Sequence, residues 1–268
     1  MHTALITGAS SGIGAALATA LSGPDAVLHL GGRDAPRLAA VAAACRARGA
    51  TVLTCAADVR DEAAMRAWIT GAGTGSRLDL VIANAGISGG PGPSGAEPES
   101  QCRALFAVNL DGVLNTVWPA LDRMAGQPPG ADGRRGTIAA IASIAAFIPA
   151  PGAPAYAAAK AAVDTWVLGH APAAARAAIR LTSVCPGFIA TPMTAANPYP
   201  MPGLMSAERA AAIILRGLAR GRARIAFPWW MAALARGVGV LPAPWALALL
   251  ARQGAKPGLG PQGLRDRD

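Results

Sequence analysis

Thr7-Gly8-Ala9-Ser10-Ser11-Gly12-Ile13-Gly14 is the stretch on which the fold turns. It ends a short apolar run, residues 3–7, and opens an Ala-rich helical stretch, residues 12–21. Gly8, Gly12 and Gly14 let the chain turn tightly and let a pyrophosphate approach the backbone. The helix that starts there offers unpaired N–H groups and the positive end of its dipole. Ser10, Ser11, Gly12 and Ile13 therefore make a seat for phosphates. A glycine-rich turn with no ligand has the same spacing. Its place at the first strand-to-helix junction favours a dinucleotide.

Working outward, apolar runs alternate with helical patterns. Residues 3–7, 26–30, 51–55, 79–83, 137–142, 181–184 and 224–227 read as strands. Residues 12–21, 36–48, 62–70, 99–124, 155–170 and 207–220 read as helices. Strands separated by helices imply right-handed crossovers. The expected fold is α/β, a doubly wound parallel sheet of about seven strands with helices on both faces. The division expected is a catalytic domain over 1–228 and a helical apolar and basic extension over 229–268, packed on it. Two Gly- and Pro-rich loops, 126–136 and 187–205, stand out.

The chain has 268 residues, 53% of them apolar and 15% charged, enough to bury one large core. Cys45, Cys55, Cys102 and Cys185 form no paired motif and read as reduced thiols. His2, His29 and His170 have no metal-ligand spacing, and no metal site is expected. The first strand begins so near Met1 that no secretory leader is expected. No uncharged apolar run reaches the roughly 20 residues of a spanning helix. A cytoplasmic protein is expected, with peripheral contact at the inner face of a membrane as the one extension of that reading. The net charge of +9 is uneven. Residues 1–199 carry +2 and residues 200–268 carry +7. The basic part is rich in Trp, Leu and Pro and holds no nucleic-acid module, so no nucleic-acid partner is expected.

The second motif is Tyr156-Ala157-Ala158-Ala159-Lys160. On a helix these ends share a face, so the ammonium can stand beside the phenol. A cation about 4 Å away favours the phenolate by up to about 4 kcal/mol, or roughly three pKa units. That would bring the phenol toward neutral pH, where a general acid/base works best. Alone the spacing is common. Ser143 gives it weight, standing 13 residues earlier at the carboxyl end of the strand 137–142, the edge where open α/β sheets bind ligands. A capping role is the plain alternative for Ser143.

In these motifs the chain resembles the short-chain dehydrogenase/reductase family in its compact branch, over roughly residues 3–228. The motifs fall in the family's order: the glycine stretch at 7–14, Asp58-Val59, Asn84-Ala85-Gly86, Asn109, Ser143, Tyr156 with Lys160, and Pro186-Gly187 with Thr191. The resemblance implies a Rossmann-type fold and an oxidoreductase. It implies that Tyr156 exchanges the proton, Lys160 lowers its pKa and binds the nicotinamide ribose, and Ser143 orients the substrate oxygen. It implies that Asn109 holds a water leading to Lys160. Asp58 and Val59 would sit by the adenine, and Asn84, Ala85 and Gly86 beside the cofactor. Pro186, Gly187, Ile189 and Thr191 would face the nicotinamide. A homodimer or homotetramer is expected. An alternative is a catalytically silent NADP-binding sensor or scaffold, though such relatives usually lose Ser, Tyr or Lys. Pro172 predicts that the helix carrying Tyr156 kinks or stops near His170.

NADP(H) is expected in preference to NAD(H). The end of the second strand reads Gly31-Gly32-Arg33, with no carboxylate for the ribose hydroxyls and with an Arg for a 2′-phosphate. Asp34 falls one place late. The loop 187–205 carries Phe188, Ile189, Met193, Tyr199, Met201, Leu204 and Met205 and no obvious carboxylate clamp. A small apolar carbonyl or alcohol is the expected substrate. The tail over 227–250 reads as two short helices. Either they pack on the domain or on another subunit, covering the substrate pocket, or the Trp-rich face docks on a membrane, with Arg216, Arg220, Arg222, Arg224, Arg236 and Arg252 toward anionic lipid. Packing would bury Trp229, Trp230 and Trp245; docking would leave at least two exposed.

Overall fold

Seven apolar runs pair side by side, all parallel. The computed structural model describes residues 2–72, 77–92, 95–251 and 254–259. The first half runs β1 (His2–Ile6), α1 (Gly12–Leu21), β2 (Ala26–Gly31), α2 (Ala35–Arg46), β3 (Thr51–Cys55), α3 (Glu62–Gly71) and β4 (Leu80–Ala83). Next come α4 (Glu99–Phe106), α5 (Gly112–Ala125), β5 (Gly136–Ile141), α6 (Pro154–Arg176) and β6 (Ile179–Pro186). The chain continues through β7 (Ile189–Ala190), α7 (Pro192–Ala195), β8 (Met205–Ser206), α8 (Ala207–Ala219) and β9 (Arg224–Phe227). It finishes with α9 (Trp229–Gly239) and α10 (Ala243–Leu250).

The main sheet has the order β3-β2-β1-β4-β5-β6-β9. The winding reverses between β1 and β4, and a crevice opens there at the carboxyl ends of the strands. β1 shows why the strands are apolar throughout. Ala4 and Ile6 join a layer with Leu17 of α1, Leu38 of α2 and Ile214 of α8. Leu5 joins the opposite layer with Met65 of α3, Val117 of α5 and Val163 of α6. Successive side chains face opposite ways, and both faces are covered. Burying each large side chain such as Leu5 or Ile6 contributes roughly 2–3 kcal/mol before the entropy of ordering it.

Two helices differ from expectation. The segment expected as one helix over 99–124 is α4, a π-helical turn (Ala107–Asp111) and α5. The whole run Glu99–Ala125 is long and apolar enough to cross a membrane, but most of it is buried in the domain. The stop expected near His170 does not occur, and α6 runs on to Arg176 with Pro172 inside it. Proline removes one donor and crowds the preceding turn. Here its ring faces solvent while Ala171 and Ala174 pack inward, so core contacts carry the last turn. The α6 register is also fixed deeper down. Arg224 of β9 grips buried Asp164 through two bonds of 3.0 and 2.6 Å, and Ser183 of β6 donates to the same carboxylate at 2.6 Å.

The tail forms two helices with inner and outer sides. Ala232 and Ala235 pack against Ile144, and Val238, Ala246 and Leu250 against Ile148. Trp229 and Trp245 are 78% and 68% exposed, and Trp230 is 40% exposed. Arg252 and the segment from residue 260 lie outside the described residues.

Candidate active site

The glycine stretch forms the floor of the crevice. Gly8 has φ +63°, open to glycine at little cost, and a Cβ on Gly14 would stand 2.3 Å from the Gly8 carbonyl oxygen. Gly14 thus packs behind the turn, whereas Gly8, Ser10, Ser11, Gly12 and Ile13 line the cleft. Ser11 caps α1 without a side-chain bond to it, so the first N–H groups of the helix are open to an anion. The Thr7 hydroxyl accepts from the Asn84 and Ala85 backbone N–H at 3.0 and 3.1 Å. Asn84 Nδ2 donates to the carbonyls of Thr7 and Gly8, both at 3.0 Å. The end of β4 and the glycine turn are therefore one rigid unit. A cradle shaped by absent Cβ atoms and ending on open helix N–H groups fits a pyrophosphate.

At one end the cleft is lined by Gly32, Arg33, Asp34, Arg37, Asp58 and Val59. Asp34 is the N-cap of α2, accepting from Arg37 N at 2.9 Å and pairing with Arg37 Nε. Arg37 holds its carboxyl below the usual range. Burial works to raise the Asp58 carboxyl, but Arg60 outweighs it and holds it low, with Arg33 adding to the effect. Arg33 stands 3.9 Å from Asp58. Arg37 and Trp68 also line this end, and sequence reasoning missed both. Trp68 stacks over Gly31, where a Cβ would meet its ring at 2.4 Å, a contact no local pattern reveals.

At the other end stand Asn84, Ala85, Gly86, Asn109, Ser143, Tyr156, Lys160, Pro186, Gly187, Ile189 and Thr191. Ser143 closes β5 and caps the following 3₁₀ turn, accepting from Ala145 N at 3.1 Å. Asn109 lies in the π turn, a local widening that re-aims a side chain. It is fully buried, with Oδ1 accepting from Ile87 N and Nδ2 donating to Ile87 O, each at 2.9 Å. Both polar atoms of its amide thus pin the loop after β4. Burial pushes the Tyr156 phenol above its ordinary value, and the Ser143 hydroxyl pulls it back. The downward shift expected from Lys160 is not seen. Its ammonium donates to Ile141 O at 2.7 Å and lies 6.0 Å from the Tyr156 ring centroid. Burial pushes Lys160 itself down to about 8.

Lys256 also belongs to this end, and nothing in the local sequence marks it. Residues 254–259 form an extended strap over this end of the cleft. Lys256 N donates to Gly152 O at 2.9 Å, Gly90 N to Pro257 O at 3.1 Å and Gly92 N to Lys256 O at 3.1 Å. Lys256 Nζ donates to Ser88 Oγ at 2.6 Å and sits 3.6 Å from the Tyr156 ring centroid. The one signal available was the glycines at 89, 90, 92 and 152, which leave room for a passing strand. Tyr199 of the loop 187–205 packs on Phe188, edge to face at 6.3 Å, and on Gly254.

Comparison with known proteins agrees with this geometry. Residues 2–200 match the family model described as short chain dehydrogenase. An uncharacterized oxidoreductase of Myxococcus xanthus is 34% identical over 233 residues, 86% of this chain and 89% of that protein. The short-chain dehydrogenase of Sphingobium yanoikuyae in complex with NADPH aligns with TM-score 0.76 and 25% identity, over 94% of this chain and 96% of that one. A short chain dehydrogenase/reductase of Burkholderia phymatum in complex with NAD shares the fold, with TM-score 0.78 and 24% identity over 97% and 98% of the two chains.

Proposed function

The chain belongs to the short chain dehydrogenase family, whose members are oxidoreductases acting on alcohol and ketone groups, and from that premise we propose an NADP-dependent enzyme for a carbonyl or secondary alcohol with a largely apolar body. One observation carries this reading. Ser143, Tyr156 and Lys160 meet at the carboxyl end of β5, in the same cleft as the open N-terminus of α1. When bound, the nicotinamide supplies or accepts the hydride. The α1 N-terminus and the glycine turn would hold its pyrophosphate. Tyr156 Oη passes the proton to or from the substrate oxygen, and Ser143 Oγ orients that oxygen. Lys160 would hold the ribose, and Asn109 keeps the loop after β4 in place. With this set complete, the silent sensor or scaffold has no feature in its favour among the described residues.

Preference for NADP(H) rests on the adenosine end. Asp34 is engaged by α2, so its carboxylate is occupied where a ribose hydroxyl would need it. Arg33 and Arg37 border the same space and suit a 2′-phosphate. The apolar character of the substrate rests on Met193 in the lining of the cleft and on Phe188 and Tyr199, which pack edge to face in the loop 187–205. A peripheral membrane role rests on the exposed Trp229 and Trp245 beside a basic segment.

The test is a carbonyl-reduction screen with NADPH and NADH, repeated with Tyr156→Phe. Turnover falls roughly 10²–10⁴-fold in the variant while NADPH still binds. NADPH binds more tightly than NADH. A variant that kept most of its activity would end the proposed mechanism, and tighter binding of NADH would reverse the cofactor assignment.

A further inference from the structure

The strap brings one charged side chain to the catalytic phenol. We propose that Lys256 selects the substrate: the enzyme acts on a carbonyl or secondary alcohol bearing an anionic group, such as a carboxylate, a few bonds from the reacting carbon. This rests on the oxidoreductase reading of the cleft.

Placement comes first. Lys256 Nζ lies 3.6 Å from the centroid of the Tyr156 ring and 2.6 Å from Ser88 Oγ, so the charge stands over the ring whose hydroxyl exchanges the proton. The second point is charge balance. The ammonium rests on a ring and a hydroxyl, and among the described residues no ion pair joins it to a carboxylate. Glu97, on the loop that adjoins the strap, is engaged by Ala155 N at 2.9 Å and Gln101 Nε2 at 3.0 Å. A desolvated cation with no counter-charge is costly, and an anionic substrate supplies that counter-charge. Burial, with the Lys160 charge adding to it, pushes Lys256 down to about 8, as such a setting requires.

The third point is construction. A Cβ on Gly90 would stand 2.3 Å from Gly152 O and 2.8 Å from Lys256 Cβ, and one on Gly152 would stand 2.7 Å from Gly254 O. The glycines fall where the strap crosses, and three backbone bonds fix its register. Lys256 is thus held in place by the fold. Tyr199 packs on Gly254 of the strap and edge to face on Phe188, an apolar neighbourhood that suits the body of an amphipathic acid.

The test pairs linear, cyclic and aromatic oxo acids with their methyl esters, and adds plain ketones, using the full chain and NADPH. Wild type prefers the acid of a pair. In Lys256→Met the acid-to-ester ratio of kcat/KM falls roughly 10- to 100-fold, the range of one charge-assisted bond, and mainly through KM. Lys256→Arg restores most of the preference. Melting curves and NADPH binding show that the variants are folded. Equal turnover of acids and esters by wild type overturns the inference, and so does an equal loss on both in Lys256→Met, which would make Lys256 a latch only. Activity on plain ketones without acid preference overturns this inference alone. No NADPH oxidation with any compound overturns the oxidoreductase reading, and this inference with it.

Discussion

Lys160 is 4% exposed, and its ammonium donates to one backbone carbonyl, Ile141 O. Its pKa falls from 10.5 to about 8, because burial penalises the charged form. The sign of the linkage follows. Between about pH 8 and 10.5 the unfolded chain binds more protons at this site than the folded one. Stability from this group therefore rises with pH through that window, and its cost is greatest below pH 8. The cost is of the order of 3 kcal/mol. Cofactor-free Lys160→Met should melt several degrees above wild type at pH 7, with the gap narrowing toward pH 10. A variant no more stable than wild type at pH 7 would show that the burial carries no such cost. The Tyr156 and Lys160 spacing was legible because a helix fixes it locally. Lys256 was not, because it reaches Ser88 across 168 positions of sequence, and nothing beside it announces that contact.

Elements were legible where one local rule governs them. Each strand is a short apolar run because both sheet faces are covered, so its existence could be read, though its ends could not. β6 extends to Ile179–Pro186 because it has a parallel partner on each side, β5 and β9, which only topology decides. The π turn at 107–111 was invisible, since one widened turn leaves the apolar pattern of a single helix nearly intact. Pro172 misled for a related reason. Proline states a local cost, and the packing of α6 against the core outweighs it. The cost remains in the helix. Pro172→Ala, at an exposed position, should stabilise the protein by about 1–3 kcal/mol with kcat/KM unchanged. A melting temperature that stayed level or fell would mean that the proline ring makes contacts the helix needs.

At the scale of the whole molecule, charge and apolar surface gather in the same part of the chain. Residues 200–268 hold most of the positive excess, and the outer side of α9 and α10 shows Trp229, Leu234, Val240, Trp245 and Leu249. Tryptophan favours the membrane interface, and each nearby basic residue adds about 1 kcal/mol on an anionic surface. The protein should co-sediment with phosphatidylglycerol-containing vesicles at low salt, lose them at high salt, and bind several-fold less well as Trp229→Ser/Trp245→Ser. Protein left in the supernatant at low salt removes the membrane reading. Sedimentation velocity would then show whether a second copy covers this face instead, as a homodimer that the double variant dissociates. The strap has another consequence, which belongs to time. A ribosome adding about 5–20 residues per second reaches Lys256 some 10 to 30 s after Ser88. The proposed phosphate seat between β1 and α1 is built from residues made long before. On the proposed reading, each new molecule can thus hold its nucleotide before it carries the charge at its reacting end, and its choice among substrates waits on residues translated after the family's matched region has ended.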